Sequence, residues 1–306
     1  MTKIYETERI LDVQFGEAEG HPLLLDIVRP TSPPAEPMPV IVYIHGGGWM
    51  GGDKSLIGGQ HNATLARYGF FTVSINHRLT GVAPFPAQIH DVKAAIRWLR
   101  ANADTYGIDP NKIGVWGHSS GGHLAALLAT SGDVPELEGN SGSPGYSSRV
   151  QAAVTSAGPV DVLTMGGWHD LPNSPEARFV NAEYVKDNPE LAKMTNPITY
   201  INGDEPPVLI IHGDQDSIVP VSQAELLYQA LTDVSLLRVK QGDHDDYNGG
   251  NLEMVELLDT VRSFFHKHLN GNRRPQAEVL ERREQMEQWI RNMWAKHEDS
   301  LKQTGK

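Results

Sequence analysis

The chain has 306 residues, 38 Asp and Glu against 26 Lys and Arg, and a formal net charge of -12 at pH 7. No basic run is long enough to follow a phosphate backbone, so nucleic acid is excluded as an expected partner, and the charge gives no attraction to an anionic membrane surface. Cysteine is absent, which removes disulfides, zinc-thiolate sites and a thiol nucleophile; any nucleophile must be oxygen or nitrogen.

The start of the chain, MTKIYETERI, lacks the apolar core of a secretory signal, and no later apolar run approaches the length of a membrane span. The expectation is a soluble, cytoplasmic protein with no membrane partner. Residues 10–15 and 23–28 alternate imperfectly and predict an antiparallel edge hairpin. Buried strands are predicted at 40–44, 70–75, 113–115, 152–155, 208–211 and 236–239, where apolar and β-branched residues run together. Helical spacing follows: Ile89, Val92, Ile96 and Leu99 fall on one face after Pro86, and Leu252, Val255, Leu258 and Val261 on another. Strands alternating with helices imply an α/β fold, a mostly parallel sheet covered on both faces, with functional residues beyond the carboxyl ends of the strands. Two Gly- and Pro-rich stretches, 133–149 and 165–200, are expected to form loops and short helices over the site. Residues 1–271 then make one catalytic domain. Residues 272–306, charged but carrying Val279, Met286, Ile290, Met293 and Trp294 near helical spacing, predict an amphipathic helical extension that docks on the body or joins two copies.

Gly117-His118-Ser119-Ser120-Gly121 sits between a predicted strand and a helical run from His123, the context a G-x-S-x-G nucleophile turn requires. Small neighbours let the tight turn push the Ser119 hydroxyl outward. The helix that follows aims N–H groups and its positive end at an oxyanion. His45-Gly46-Gly47-Gly48-Trp49 also follows a buried strand, and its glycines let the backbone approach a ligand closely. Gly47, Gly48 and Ser120 are the expected oxyanion donors; a single such donor is worth about 3–4 kcal/mol to a developing oxyanion.

A hydroxyl needs a base that takes its proton and returns it to the leaving group. Among 13 histidines, His244 is favoured because it lies late in the chain, in a polar loop after the last predicted strand. His45 and His118 are read as supporting residues, His212 as a structural hydrogen-bonding group. Asp214 and Asp216 both follow the strand at 208–211. Asp216 is preferred as the orienting acid, and Asp214 as a holder of the turn. The carboxylates at 243–246 lack the spacing of a calcium loop, and no metal is expected. Trp49, Phe85 and Trp168 are expected pocket walls.

These motifs, with Gly51-Gly52-Asp53-Lys54, Phe85-Pro86-Ala87-Gln88, Asp91, Tyr106-Gly107-Ile108-Asp109-Pro110 and His212-Gly213-Asp214-Gln215-Asp216, resemble the α/β-hydrolase superfamily. Within it they are most similar to hormone-sensitive-lipase-like esterases and the feruloyl and acetylxylan esterase branch. The resemblance covers residues 23–269. It implies a triad at Ser119, Asp216 and His244 and an oxyanion hole at Gly47, Gly48 and Ser120. It also implies hydrolysis of a small ester (aryl, acetyl or feruloyl) through an acyl-serine, with no cofactor. Three departures stand out: His77-Arg78-Leu79 where many relatives have Tyr-Arg-Leu, Asp245 where relatives often have Gly, and the tail after Gly271. The rival readings are an arylformamidase or peptidase, and a receptor that keeps the fold without catalysis.

Overall fold

A computed structural model describes residues 3–55, 58–244 and 252–271, with an isolated helical position at Gln288. The chain divides into a compact unit, Met1–Asn270, and a second unit, Gly271–Lys306. Apart from Gln288, the expected amphipathic extension at 272–306 lies outside the described residues, as does Asp245.

The strands are β1 (Thr7–Ala18), β2 (His21–Pro30), β3 (Met38–Ile44), β4 (Phe71–Ile75), β5 (Ile108–His118), β6 (Ala152–Ser156), β7 (Val208–Gly213) and β8 (Val234–Val239). The helices are α1 (Gly58–Ala66), α2 (Ala87–Ala101), α3 (Ala103–Tyr106), α4 (Ser120–Thr130), α5 (Pro175–Phe179), α6 (Pro189–Thr195), α7 (Ser222–Ala230) and α8 (Met254–Leu269). The strands form one sheet in the order β1-β2-β4-β3-β5-β6-β7-β8. β1 and β2 form the expected antiparallel edge hairpin, and β2 also runs antiparallel to β4; the pairs from β4 across to β8 are parallel. The hairpin turns through Glu19 and Gly20, both at positive φ (52° and 80°), the two-residue turn that matches strand twist.

Alternation along the strands divides the core. Val40, Val42 and Ile44 pack with Ile89, Val92, Ile96 and Leu99 of α2 and with α4, whereas Ile41 and Tyr43 pack on the other face with α1 and α8. The stripe of α2 is therefore as predicted. That of α8 is shifted: Leu257, Val261, Phe265 and Leu269 are buried, while Val255 is 67% exposed. The expected stripe began in Leu252, which precedes the helix, so its phase was set by a residue that is not helical.

The stretch at 165–200 folds into α5, α6 and three 3-10 turns. Pro175, Pro189 and Pro197 each open a helical turn, where a missing N–H costs nothing, and Ser174, Asn188 and Asn196 before them cap the next free N–H groups. The stretch at 133–149 does not lie over the site, contrary to expectation. It is clamped to α2, where fully buried Lys93 bonds Ser131 O (2.6 Å) and Glu138 Oε1 (2.7 Å), and Arg97 bonds Glu138 Oε2 (3.0 Å) and Ser141 O (2.8 Å). A buried ammonium must be paired, and Glu138 is what pairs it.

Candidate active site

The turn between β5 and α4 carries Ser119 at φ 56° and ψ -126°, a backbone state that costs a non-glycine residue energy and persists only where surroundings enforce it. The enforcement is visible. Ser119 N donates to Ser156 O of β6 (2.8 Å). A Cβ on Gly117 would run into the Gly121 carbonyl, and one on Gly121 into the Ile44 and His45 carbonyls at the end of β3. Gly121→Ala is expected to destabilise the fold by about 3 kcal/mol, because the obstacle is backbone rather than a side chain that can turn away. Urea denaturation of the purified variant measures this, and an unchanged midpoint would contradict the packing.

Parallel register brings distant segments to the same edge of the sheet. Ile44 pairs with Gly117, Gly117 with Thr155, Ser156 with Ile211, and Gly213 with Val239, so the loops after β3, β5, β7 and β8 all leave the carboxyl edge together. His244 Nε2 stands 3.0 Å from Ser119 Oγ, and His244 Nδ1 stands 2.9 Å from Asp216 Oδ2 and 3.1 Å from Oδ1. With the proton on Nδ1 donated to the carboxylate, Nε2 is left to accept from the serine hydroxyl. The Asp216 carboxylate is fully buried. It also accepts from Ile218 N (2.9 Å), Val219 N (2.7 Å) and His212 Nε2 (3.1 Å). Burial pushes this carboxyl up, but hydrogen bonds from His212 and His244, the His244 charge and the Val219 N–H together hold it well below the usual carboxylate range. It stays ionised.

The neighbouring residues fall into place around these three. Asp214 accepts from Gln241 N (2.7 Å), a bond that ties its loop to the loop after β8 rather than closing its own turn as expected. Asp243, exposed, accepts from Ser217 N (2.8 Å), Ser217 Oγ (2.8 Å) and His244 N (2.7 Å), tying the acid loop to the base loop. In the sequence the carboxylates at 243–246 raise only the question of a metal site, whereas this bridging role of Asp243 arises from the fold. His118 Nε2 meets the His244 carbonyl (3.0 Å), and His45 Nδ1 donates to Gly46 O (2.8 Å); both are supporting groups. His77, one of the departures from the family pattern, stacks on His45 with ring centres 4.5 Å apart.

A cavity of about 480 Å³ opens on Ser119. Gly47, Gly48 and Ser120 line it, and among the described residues no protein acceptor takes their backbone N–H groups. Gly47 and Gly48 have φ of 119° and 59°, which turns this backbone toward the cavity in a conformation side chains resist. Trp49 and Trp168 are among the residues that line the cavity. Phe85 is not. It is buried behind the wall, edge-on to Phe179, whose ring stacks on Trp49 at 4.3 Å. The wall instead includes Pro159, Pro175, Ile218, Val219 and two polar residues, His169 and Glu176, that sequence reading did not single out. Nothing in the spacing of those two marks them, because a 3-10 turn and a short helix bring them together.

Comparison with known proteins places this geometry. The BD-FAE family profile matches residues 25–231. The chain is 34% identical to esterase LipQ of Mycobacterium tuberculosis over 256 residues, 82% of this chain and 58% of LipQ, so it spans little more than half the length of that relative. Among solved structures it resembles a truncated carbohydrate esterase from gut microbiota (30% identity, 88% of this chain and 99% of that one, TM-score 0.78). It also resembles a bifunctional GH43-CE of Bacteroides eggerthii (36% identity, 85% of this chain and 35% of that one, TM-score 0.76). The sheet order, the nucleophile turn and the matched span agree: the chain belongs to the BD-FAE family and has the α/β-hydrolase fold.

Proposed function

We propose that the protein is a serine carboxylic ester hydrolase acting on small esters through an acyl-serine intermediate. The observation that carries this is the unbroken line Ser119 Oγ, His244 Nε2, His244 Nδ1, Asp216 Oδ2, with gaps of 3.0 and 2.9 Å. Ser119 Oγ attacks the ester carbonyl as His244 takes its proton; Asp216 keeps the ring in the reacting tautomer and stabilises the imidazolium. The carbonyl oxygen, now negative, is received by the N–H groups of Gly47, Gly48 and Ser120. His244 returns the proton to the departing alcohol. It then activates water, which attacks the acyl-serine and releases the acid.

The cavity, about 480 Å³, is of small-molecule size, and Trp168, Pro175, Ile218 and Val219 give it an apolar wall suited to an acetyl or an aryl acyl group. The relatives named as esterases favour an ester over an amide leaving group. A fluorophosphonate probe tests the reading directly. It is expected to label Ser119 alone, and wild-type protein should hydrolyse 4-nitrophenyl acetate far faster than an N-formyl anilide. Failure to label at any pH would favour a non-catalytic receptor, and the reverse preference an arylformamidase.

A further inference from the structure

The cavity wall holds an ion pair that the proposed reaction does not use. His169 Nδ1 donates to Glu176 Oε1 (2.9 Å) and His169 Nε2 to the Ile218 carbonyl (2.8 Å), so both ring nitrogens face acceptors and the ring is satisfied only as imidazolium. Burial disfavours that charge, but the Glu176 hydrogen bond and charge, with the Ile218 carbonyl and Asp170, hold the His169 pKa above its ordinary value. The two side chains are 3% and 4% exposed. Trp168 stacks on the imidazole, ring centres 3.7 Å apart.

Only half of Glu176 is satisfied. Its Oε1 is taken by His169, while its Oε2 is buried and has no hydrogen-bond partner among the described residues. Buried carboxylate oxygens without donors are uncommon, because the water they lose is not replaced. The residue that carries it, Glu176, is one of those that line the cavity opening on Ser119. The pair is also fixed at both ends to the reacting groups. Pro175, preceding Glu176, packs against Gly48, where an added Cβ would meet its ring at 3.3 Å. Ile218, which receives His169, gives its own N–H to Asp216. A group bound to Glu176 is therefore held in register with the oxyanion segment and the triad.

The charge selects the kind of group. His169 cancels the Glu176 charge, which leaves a strong acceptor with no net attraction for a cation; its natural donor is a neutral hydroxyl. Building on the proposed esterase activity, we infer that Glu176, positioned by His169, is a specificity-determining acceptor for a free hydroxyl carried by the ester substrate. Hydroxylated esters are then preferred over plain ones of the same size. Filling a site built for a hydroxyl with a substrate that lacks one leaves the buried acceptor unpaired, which amounts to about tenfold to a hundredfold in kcat/KM.

Matched substrates read this out and locate the hydroxyl. 2-Hydroxyethyl acetate against propyl acetate places it on the alcohol; methyl 4-hydroxycinnamate against methyl cinnamate places it on the acyl group. In at least one pair, wild-type protein is expected to favour the hydroxylated member about tenfold or more. Glu176→Leu should bring that ratio to within about twofold of unity. Glu176→Gln, which can present its amide N–H₂ to neutral His169 and its carbonyl oxygen to the substrate, should keep part of it. A structural role alone would lower both members equally and leave the ratio intact. No wild-type preference in either pair, or a ratio that survives Glu176→Leu, overturns the inference while leaving the esterase reading standing. No hydrolysis of any of the four esters, together with no phosphonate labelling, overturns both.

Discussion

Ser119→Ala is expected to lower kcat by about a hundred-thousandfold to a millionfold while leaving the protein folded, because in the proposed mechanism the alanine removes the atom that forms the acyl bond. The remaining rate would come from substrate positioning and the oxyanion donors. His244→Gln should cost about as much, since a serine hydroxyl with no base 3.0 Å away is a poor nucleophile. The double variant should be no slower than either single one, because both act in one proton transfer and their losses do not add. KM for a short aryl ester should stay within a few fold, as neither change alters the apolar walls. Steady-state kinetics on the three variants, with circular dichroism to confirm folding, checks all of this. Near wild-type kcat in Ser119→Ala would sink the assignment of the nucleophile, and strictly multiplicative losses would show that the two residues do not work together.

The residues of that line were legible in the sequence because each sits next to a strong local signal. Gly117 and Gly121 flank Ser119 for a reason of backbone clearance. Asp216 follows the fully buried strand β7, whereas His244 follows β8, an edge strand in which only Val239 is buried rather than the buried strand expected at 236–239, and there chain order supplied the assignment. Ile89, Val92, Ile96 and Leu99 of α2 were legible for the same reason, an apolar stripe with a fixed period. What was missed depends on long-range pairing. Lys93 and Arg97 look like the solvent face of an amphipathic helix, and only the fold reveals that Glu138 comes to meet them and draws 133–149 away from the site. His169 and Glu176 belong to a stretch that reads as proline-broken loop. Its prolines in fact start capped helical turns, a signal present in Ser174-Pro175, Asn188-Pro189 and Asn196-Pro197 but not weighed. Phe85 was expected at the surface of the cavity on its aromatic character alone, and character does not say which layer a ring occupies.

The second large effect is expected in acid, and it comes from histidines that lie outside the triad. His61 and His123 are buried and their pKa values fall to about 4, and that of His77 to about 3, in each case chiefly by burial. Three polar atoms, His61 Nδ1, His77 Nε2 and His123 Nδ1, have no partner among the described residues, so a proton added there would gain no compensating bond. The folded state therefore takes up protons at these rings less readily than the unfolded chain, whose histidines titrate near 6.5. Stability is full above 6.5, falls as the pH drops below it, and stops falling at these sites only near pH 4 to 3. At pH 5 each ring should have cost about 2 kcal/mol and the three together about 6 kcal/mol, a large part of the 5–15 kcal/mol that holds a typical domain. His169 works weakly the other way, since its raised pKa favours the folded state as the pH falls toward 6.5. Urea unfolding at pH 7, 6 and 5 measures the balance, and the midpoint should fall steeply below pH 6.5. In His61→Phe, which keeps a ring against Tyr43 and Trp116, the fall should be shallower by one proton. A midpoint that is flat from pH 7 to 5 would mean these rings are not held neutral in the fold.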